Sequence, residues 1–378
     1  MNLLLSAYDR AYQKAARPLL FKRSAYDSHL ALMNWLERAD SSRMLIGLCR
    51  IMRRATMIPD PVTVGGVALP NRVMIAAGLV KGFGFDDEGM AQTAVERGEN
   101  IIPGWRSMPA LAGVVEFGSF TRWPRTGNPG TVVWREVKTR STQNRIGLKN
   151  PGAKAAAAFF ASHKSDLPPI FGINIAVSPG VTERAQEKAE ALESFSAFLE
   201  AAVQPSWFTL NLSCPNTEDD PRGHQTAEKA AELSGALVKL IASCGKSTPL
   251  WLKVSPCLSE AQYAALIEAA SEHGVKAIIA TNTLGQPSPD DPAITAGVGG
   301  GRLHIPALEA CASLLKAKEA QSSTVDIVAC GGILDGASLS DFTNIGASAS
   351  QIWSALVYRG PLAAAVIASE HLQAKQPL

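Results

Sequence analysis

The chain has 378 residues, a formal net charge of +2 and only 19% charged residues, which excludes the basic footprint of a nucleic-acid binder. Its six cysteines, at positions 49, 214, 244, 257, 311 and 330, form no C-x-x-C pair; that speaks against a zinc or iron–sulfur site and a disulfide framework, and for a reducing compartment such as the cytoplasm. No apolar run of about 18 residues is present to span a bilayer, and the apolar start Met1-Asn-Leu-Leu-Leu-Ser is too short for a signal peptide.

Residues 1–60 carry helical spacing. Tyr8, Tyr12, Ala15 and Leu19 share one face, as do Leu30, Met33, Trp35 and Leu36, with Arg10, Lys14, Arg17, Lys22 and Arg23 interleaved. Two short, basic, amphipathic helices are expected. Two settings are open for them: a membrane surface, or a helical hairpin that caps a larger domain.

Residues 61–378 change character. Apolar β-type runs fall at Val73–Ala77, Val114–Phe117, Ile170–Ile175, Trp207–Leu210, Leu250–Val254, Ala277–Ala280, Val325–Ala329 and Ser350–Ile352. Helical stretches separate them, among them Glu183–Ala202, Ala227–Ser243, Ser259–His273 and Pro306–Ala320. Ser259 with Gln262 reads as a capping box, and Gly274 as the stop of that helix. Near-continuous apolar strands joined by helical crossovers predict a parallel sheet of the α/β class. Eight strands make a (β/α)8 TIM barrel the expected fold, with a doubly wound open sheet as the alternative. The second strand starts near Asn100 or near Val114; in the latter case Gly104–Gly113 is an insertion.

Chemistry concentrates at predicted strand ends. Asn211-Leu-Ser-Cys-Pro-Asn216-Thr follows the fourth strand and sets Cys214 between two amide side chains, on a loop stiffened by Pro215. Lys253 lies inside an otherwise apolar strand, where a cation needs an anion or an acceptor. Gly331-Gly332 and Ser354 follow strands seven and eight, the usual phosphate site of a barrel. Gly297-Val-Gly-Gly-Gly-Arg302 does not directly follow a predicted strand and is read as a barrel loop, not a dinucleotide fingerprint. No carboxylate or metal-ligand cluster marks the strand ends.

Together these signals resemble the dihydroorotate dehydrogenase family. The words that carry the resemblance are Asn211-Leu-Ser-Cys-Pro-Asn216, Ala76-Ala-Gly-Leu with Lys81, Asn144-Arg-Ile-Gly-Leu-Lys-Asn-Pro-Gly152, Ala280-Thr-Asn-Thr283, Gly331-Gly-Ile and Gln351-Ile-Trp-Ser354. The resemblance implies an FMN flavoprotein that oxidises dihydroorotate to orotate. Cys214 would take the proton from C5, and the hydride at C6 would pass to N5 of the flavin. It places Lys81, Asn144, Gly147, Leu148, Asn211, Asn216, Asn282 and Thr283 around the substrate. Ala77, Gly78, Asn174, Asn211, Lys253, Thr281, Gly301, Gly332, Trp353 and Ser354 would surround FMN. A cysteine base resembles the class 1 enzymes, whereas the helical extension resembles class 2, whose extension forms a quinone entrance on the membrane. A quinone acceptor, and a peripheral position on the cytoplasmic face of the inner membrane, follow from the latter. Val80, Lys149 and Ala176 depart from the family pattern. Two alternatives accompany this reading: an FMN oxidoreductase for another dihydropyrimidine or cyclic imide, and a catalytically silent ligand-binding barrel.

Overall fold

In the computed structural model, residues 3–181, 183–212 and 227–375 are described. Eight parallel strands close a barrel: β1 (Val73–Ile75), β2 (Val115–Phe120), β3 (Phe171–Ala176), β4 (Trp207–Asn211), β5 (Leu250–Val254), β6 (Ala277–Ala280), β7 (Asp326–Cys330) and β8 (Ala349–Ile352). Each strand pairs with its neighbour in sequence, and β8 pairs back onto β1. The open-sheet alternative is thereby excluded. The reason lies in burial: almost every strand residue is covered, inside by the opposite strands and outside by helices. Helix Glu260–Glu272 begins at the expected capping box on Ser259 and stops before Gly274, whose φ is 75°.

The strand bounds differ from expectation at one place that matters. The second strand begins at Val115, so the later of the two alternatives holds. The intervening residues form a short helix, Ser107–Ala112, with all six side chains buried. Asp40 holds it from the extension: its carboxylate accepts the backbone N–H groups of Gly104 at 2.7 Å and Ser107 at 2.8 Å, and the Asn100 amide at 3.0 Å.

The bottom of the barrel is shut. A hairpin, Val62–Val64 with Val67–Leu69, plugs the N-terminal end, and Trp251 donates to its turn at Gly65 O, 3.1 Å away. Gly65 is required there: at φ 54° a Cβ would lie 2.3 Å from the indole. Trp251 stacks on Trp207, ring centroids 4.5 Å apart. Trp207 enters because Gly172 has no Cβ to meet it. Fully burying such a side chain is worth roughly 1.5–3 kcal/mol, so this floor is a stable plug. Among the described residues, the C-terminal mouth is the end of the barrel that stays open to a ligand. Over it lies an antiparallel sheet in the order Leu284–Pro287, Thr295–Gly300, Ser141–Asn144, Val133–Glu136. The glycine-rich loop expected at 297–302 is thus largely one of its strands.

The extension contains three helical segments where two were expected: Leu3–Leu20, with a π-turn at Tyr12–Ala16, then Ala25–Ser41 and Arg43–Thr56. The third, with Ile46 and Cys49 buried and Arg50 and Arg54 exposed, follows so closely on the second that Ser42 alone divides them. The first segment is fastened to the end of the barrel. Tyr8 donates to Arg359 O at 3.1 Å, Tyr12 to Val357 O at 3.0 Å, and Asp9 pairs with Arg359 at 3.0 Å. Leu5, Ile46, Leu111, Leu362 and Val366 share one buried cluster beneath. Other apolar side chains of the extension face outward, including Met44, Leu48 and Ile51, with Met44 78% exposed. Among the described residues no helix is long and apolar enough to cross a membrane.

Candidate active site

The C-terminal mouth holds an open pocket. Strand ends supply one side. Ala76, Ala77, Gly78 and Lys81 follow β1, Ser119 belongs to β2, Asn211 ends β4 and Lys253 belongs to β5. Thr281, Asn282 and Thr283 follow β6, Gly331 and Gly332 follow β7, and Trp353 and Ser354 follow β8. The overlying sheet and its turn add Thr142, Asn144, Gly147, Leu148, Gly299 and Gly300. A chain whose strands all end at one mouth brings residues from distant repeats to one cavity.

The pocket is chemically divided. At one end Thr142 Oγ1 and Ser354 Oγ lie 2.6 Å apart. A Cβ on Gly299 would come within 3.1 Å of Ser354 Oγ and 3.5 Å of Thr142 Oγ1, so glycine leaves the side of this hydroxyl pair uncovered. At the other end amides meet: Asn282 Nδ2 donates to Asn211 Oδ1 at 2.6 Å, and Asn211 Nδ2 to Ser119 Oγ at 3.2 Å. Lys253, 5% exposed, donates to Gln351 Oε1 at 3.3 Å and to Cys330 Sγ at 3.6 Å. Burial pushes the Cys330 thiol up, and the nearby lysine only partly counters it, so that thiol stays neutral.

The extension reaches this region as well. His29, on helix Ala25–Ser41, has its imidazole pKa lowered to about 4, chiefly by burial and then by the charges of Lys81 and Lys149. Three basic side chains therefore converge where the extension meets the pocket rim, and one is held neutral.

Most residues expected at the site line this pocket, with two differences. Asn174 is fully buried one layer below: its Oδ1 accepts from Ser119 Oγ at 2.5 Å, and its Nδ2 donates to Glu116 at 3.3 Å. Gly301 opens a 3-10 turn and gives its N–H to Arg140 O, leaving Gly299 and Gly300 at the wall. Cys214 and Asn216 lie outside the described residues. Ser119, Thr142, Cys330 and Gln351 were not anticipated as lining residues. Gln351 stands in the short run Ala349-Ser-Gln-Ile352, which is itself half polar, so nothing set it apart as Lys253 is set apart in Leu250-Trp-Leu-Lys-Val254; Thr142 carried no signal either. Among the described residues no cluster of three His, Cys, Asp or Glu side chains could hold a metal.

A sealed floor and one polar mouth pocket define a (β/α)8-barrel enzyme. The dihydroorotate dehydrogenase family model matches residues 61–374, and the chain belongs to that family. Its relatives include proteins called dihydroorotate dehydrogenase (quinone) from Delftia acidovorans, 29% identical, covering 91% of this chain and 93% of the relative, and from Neisseria gonorrhoeae, 30% identical, covering 92% and 95%. Two structures of DHODH from Eimeria tenella share the fold. The ferulenol complex superposes with a TM-score of 0.68 at 20% identity over 88% of this chain and 89% of that one. The ligand-free form gives 0.69 at 21% identity over 89% and 94%.

Proposed function

We propose that this chain oxidises dihydroorotate to orotate, with FMN as bound cofactor and a quinone as the final acceptor. The carrying observation is a single pocket with a glycine-and-hydroxyl end, a buried lysine and a cluster of amides. The first end suits a phosphate: hydroxyls and glycine backbone surround it, and the absence of a Cβ at Gly299 leaves the hydroxyl pair uncovered on that side. Gly299, Gly300, Gly332, Trp353 and Ser354 would hold that part of FMN, with Ala77, Gly78 and Thr281 along its length. Lys253 would face the ring, and Asn174 would support it from below through Ser119. FMN, when bound, supplies the two-electron acceptor.

The protein's own residues do the rest. Asn144, Asn211, Asn216 and Asn282 orient the substrate's carboxylate and ring amides, and Asn211 and Asn282 are already aligned by their mutual hydrogen bond. Gly147, Leu148 and Thr283 form the wall, and Lys81 adds a cation beside the substrate. Cys214 removes the C5 proton, acting as its thiolate. Residues 1–60 form the quinone-side unit and residues 61–378 the catalytic barrel. The outward Met44, Leu48 and Ile51, among basic side chains, suit contact with a membrane surface, with the protein held peripherally on the cytoplasmic face. Lys149 favours one second reading: it and Lys81 both act on His29, and this added positive charge suits a different, more anionic dihydropyrimidine.

The test is anaerobic mixing of FMN-loaded protein with dihydroorotate while visible flavin absorbance is followed. Rapid bleaching is expected. Bleaching by another dihydropyrimidine alone would move the assignment to the second reading, and failure to take up FMN would overturn the flavin assignment.

A further inference from the structure

A buried carboxylate lies beneath the pocket, and the mechanism above leaves it unused. Glu116, on β2, is fully buried in the barrel interior. Four donors converge on it. Trp207 Nε1 reaches Oε1 at 3.0 Å, the Thr209 hydroxyl bonds the same oxygen, Asn174 Nδ2 reaches Oε2 at 3.3 Å and Gln351 Nε2 reaches it at 3.2 Å. Three of these are N–H groups that cannot accept, so the surroundings match the carboxylate form. Such a group is costly to bury without compensation. Floor packing alone would be served as well by an apolar residue.

The Gln351 amide gives the carboxylate a direction. Its Nε2 donates to Glu116 while its Oε1 accepts from Lys253 Nζ at 3.3 Å. Only one orientation of the amide satisfies both ends, since the lysine needs an acceptor and the carboxylate a donor. Gln351 is itself 1% exposed. A buried anion and a pocket-lining cation are thus linked through one oriented amide dipole. A second arm leaves Glu116 through Asn174 and Ser119 to Asn211 and Asn282. The lysine end and the amide end of the pocket therefore share one hydrogen-bonded base.

We infer that Glu116 and Gln351 are positioning residues that hold the Lys253 ammonium against the ring of bound FMN and temper its charge there. The inference rests on the flavin reading given above. A lone buried cation beside the ring would stabilise the negative charge that flavin gains on reduction. A cation tied to an anion through Gln351 does so less strongly, which sets the redox poise.

The experiment uses full-length protein saturated with FMN, as wild type, Glu116→Gln and Gln351→Met. It measures the two-electron midpoint potential and the affinity for sulfite, which adds to flavin more tightly when positive charge lies beside the ring. Glu116→Gln removes the anion and keeps the cation. The potential should rise by about 30 mV, a tenfold change in the two-electron equilibrium, and sulfite should bind about tenfold more tightly. Gln351→Met frees the ammonium to collapse toward Glu116, so both quantities should shift the other way, with sulfite at least threefold weaker. A purely structural role would alter the urea midpoint and FMN retention while bound flavin kept the wild-type potential. Sulfite affinity within twofold of wild type in every variant that holds FMN would overturn the inference. So would failure of both variants to hold FMN at saturation. If Glu116→Gln does not fold, Gln351→Met decides alone. Wild type that takes up no FMN would instead refute the flavin reading itself.

Discussion

Acidification should release helix Ala25–Ser41 from the barrel, and His29 is the reason. Its pKa falls from an ordinary 6.5 to about 4 in the folded protein. The unfolded or undocked state therefore binds more protons between those values, and stability rises with pH across that window. The contribution is complete above pH 6.5 and is lost as pH falls toward 4. A single site with these two values costs about 2 kcal/mol at pH 5 and about 3 kcal/mol at pH 4, relative to neutral pH. The cost arises because protonation would put a third positive charge, poorly solvated, beside Lys81 and Lys149. Asp40 contributes with the opposite sign. Burial raises its pKa, so its contribution is full at low pH and declines as pH rises through the folded value. That term cancels when two proteins sharing Asp40 are compared. The assay is native-state hydrogen exchange on wild type and His29→Asn at pH 7 and pH 5. Between these pH values, opening free energies for amides of Ala25–Ser41 should fall by about 2 kcal/mol more in wild type than in the variant. Identical pH dependence in both would refute the argument.

Cys214→Ala should retain FMN but slow substrate-driven flavin reduction by about 10²–10⁴-fold in stopped-flow absorbance; unimpaired reduction would remove its assigned role. Asp40→Ala strips acceptors from the N–H groups of Gly104 and Ser107 and should cost about 3 kcal/mol in urea unfolding, after relief of the buried carboxylate is allowed for. Met44→Glu combined with Ile51→Glu should abolish co-sedimentation with anionic vesicles and leave anaerobic flavin reduction by substrate unchanged. Undiminished sedimentation would remove Met44 and Ile51 from the membrane contact, and absence of sedimentation in wild type would favour a purely structural cap.

Much of the barrel was legible because its strands are covered on both faces and so read as unbroken apolar runs; Leu250–Val254 and Ala277–Ala280 were located to the residue. The sheet over the mouth was not. Ser141–Asn144 and Thr295–Gly300 are polar or glycine-rich, and what makes them strands is their pairing with each other across the chain. The Gly104–Gly113 segment was ambiguous for a similar reason: Asp40, far away in sequence, supplies the hydrogen bonds that set it. At the site, strand-end motifs identified most of the pocket. Asn174 proved to act one layer below it, because a strand's alternation turned its side chain toward Glu116. Ser119 and Gln351 owe their importance to partners on other strands, which one-dimensional spacing does not reveal.

The tyrosine clasp also imposes an order on biosynthesis. Tyr8 and Tyr12 close on the backbone of Val357, Arg359 and Leu362, so this segment waits for one made after the whole barrel. At about 5–20 residues per second, the extension spends roughly 15–60 s on a nascent chain that lacks its docking surface. Its apolar faces, later shared between barrel and surroundings, are meanwhile all open to capture by a chaperone or a lipid surface. The helices that depend most on the finished enzyme are thus the ones the cell must shield longest.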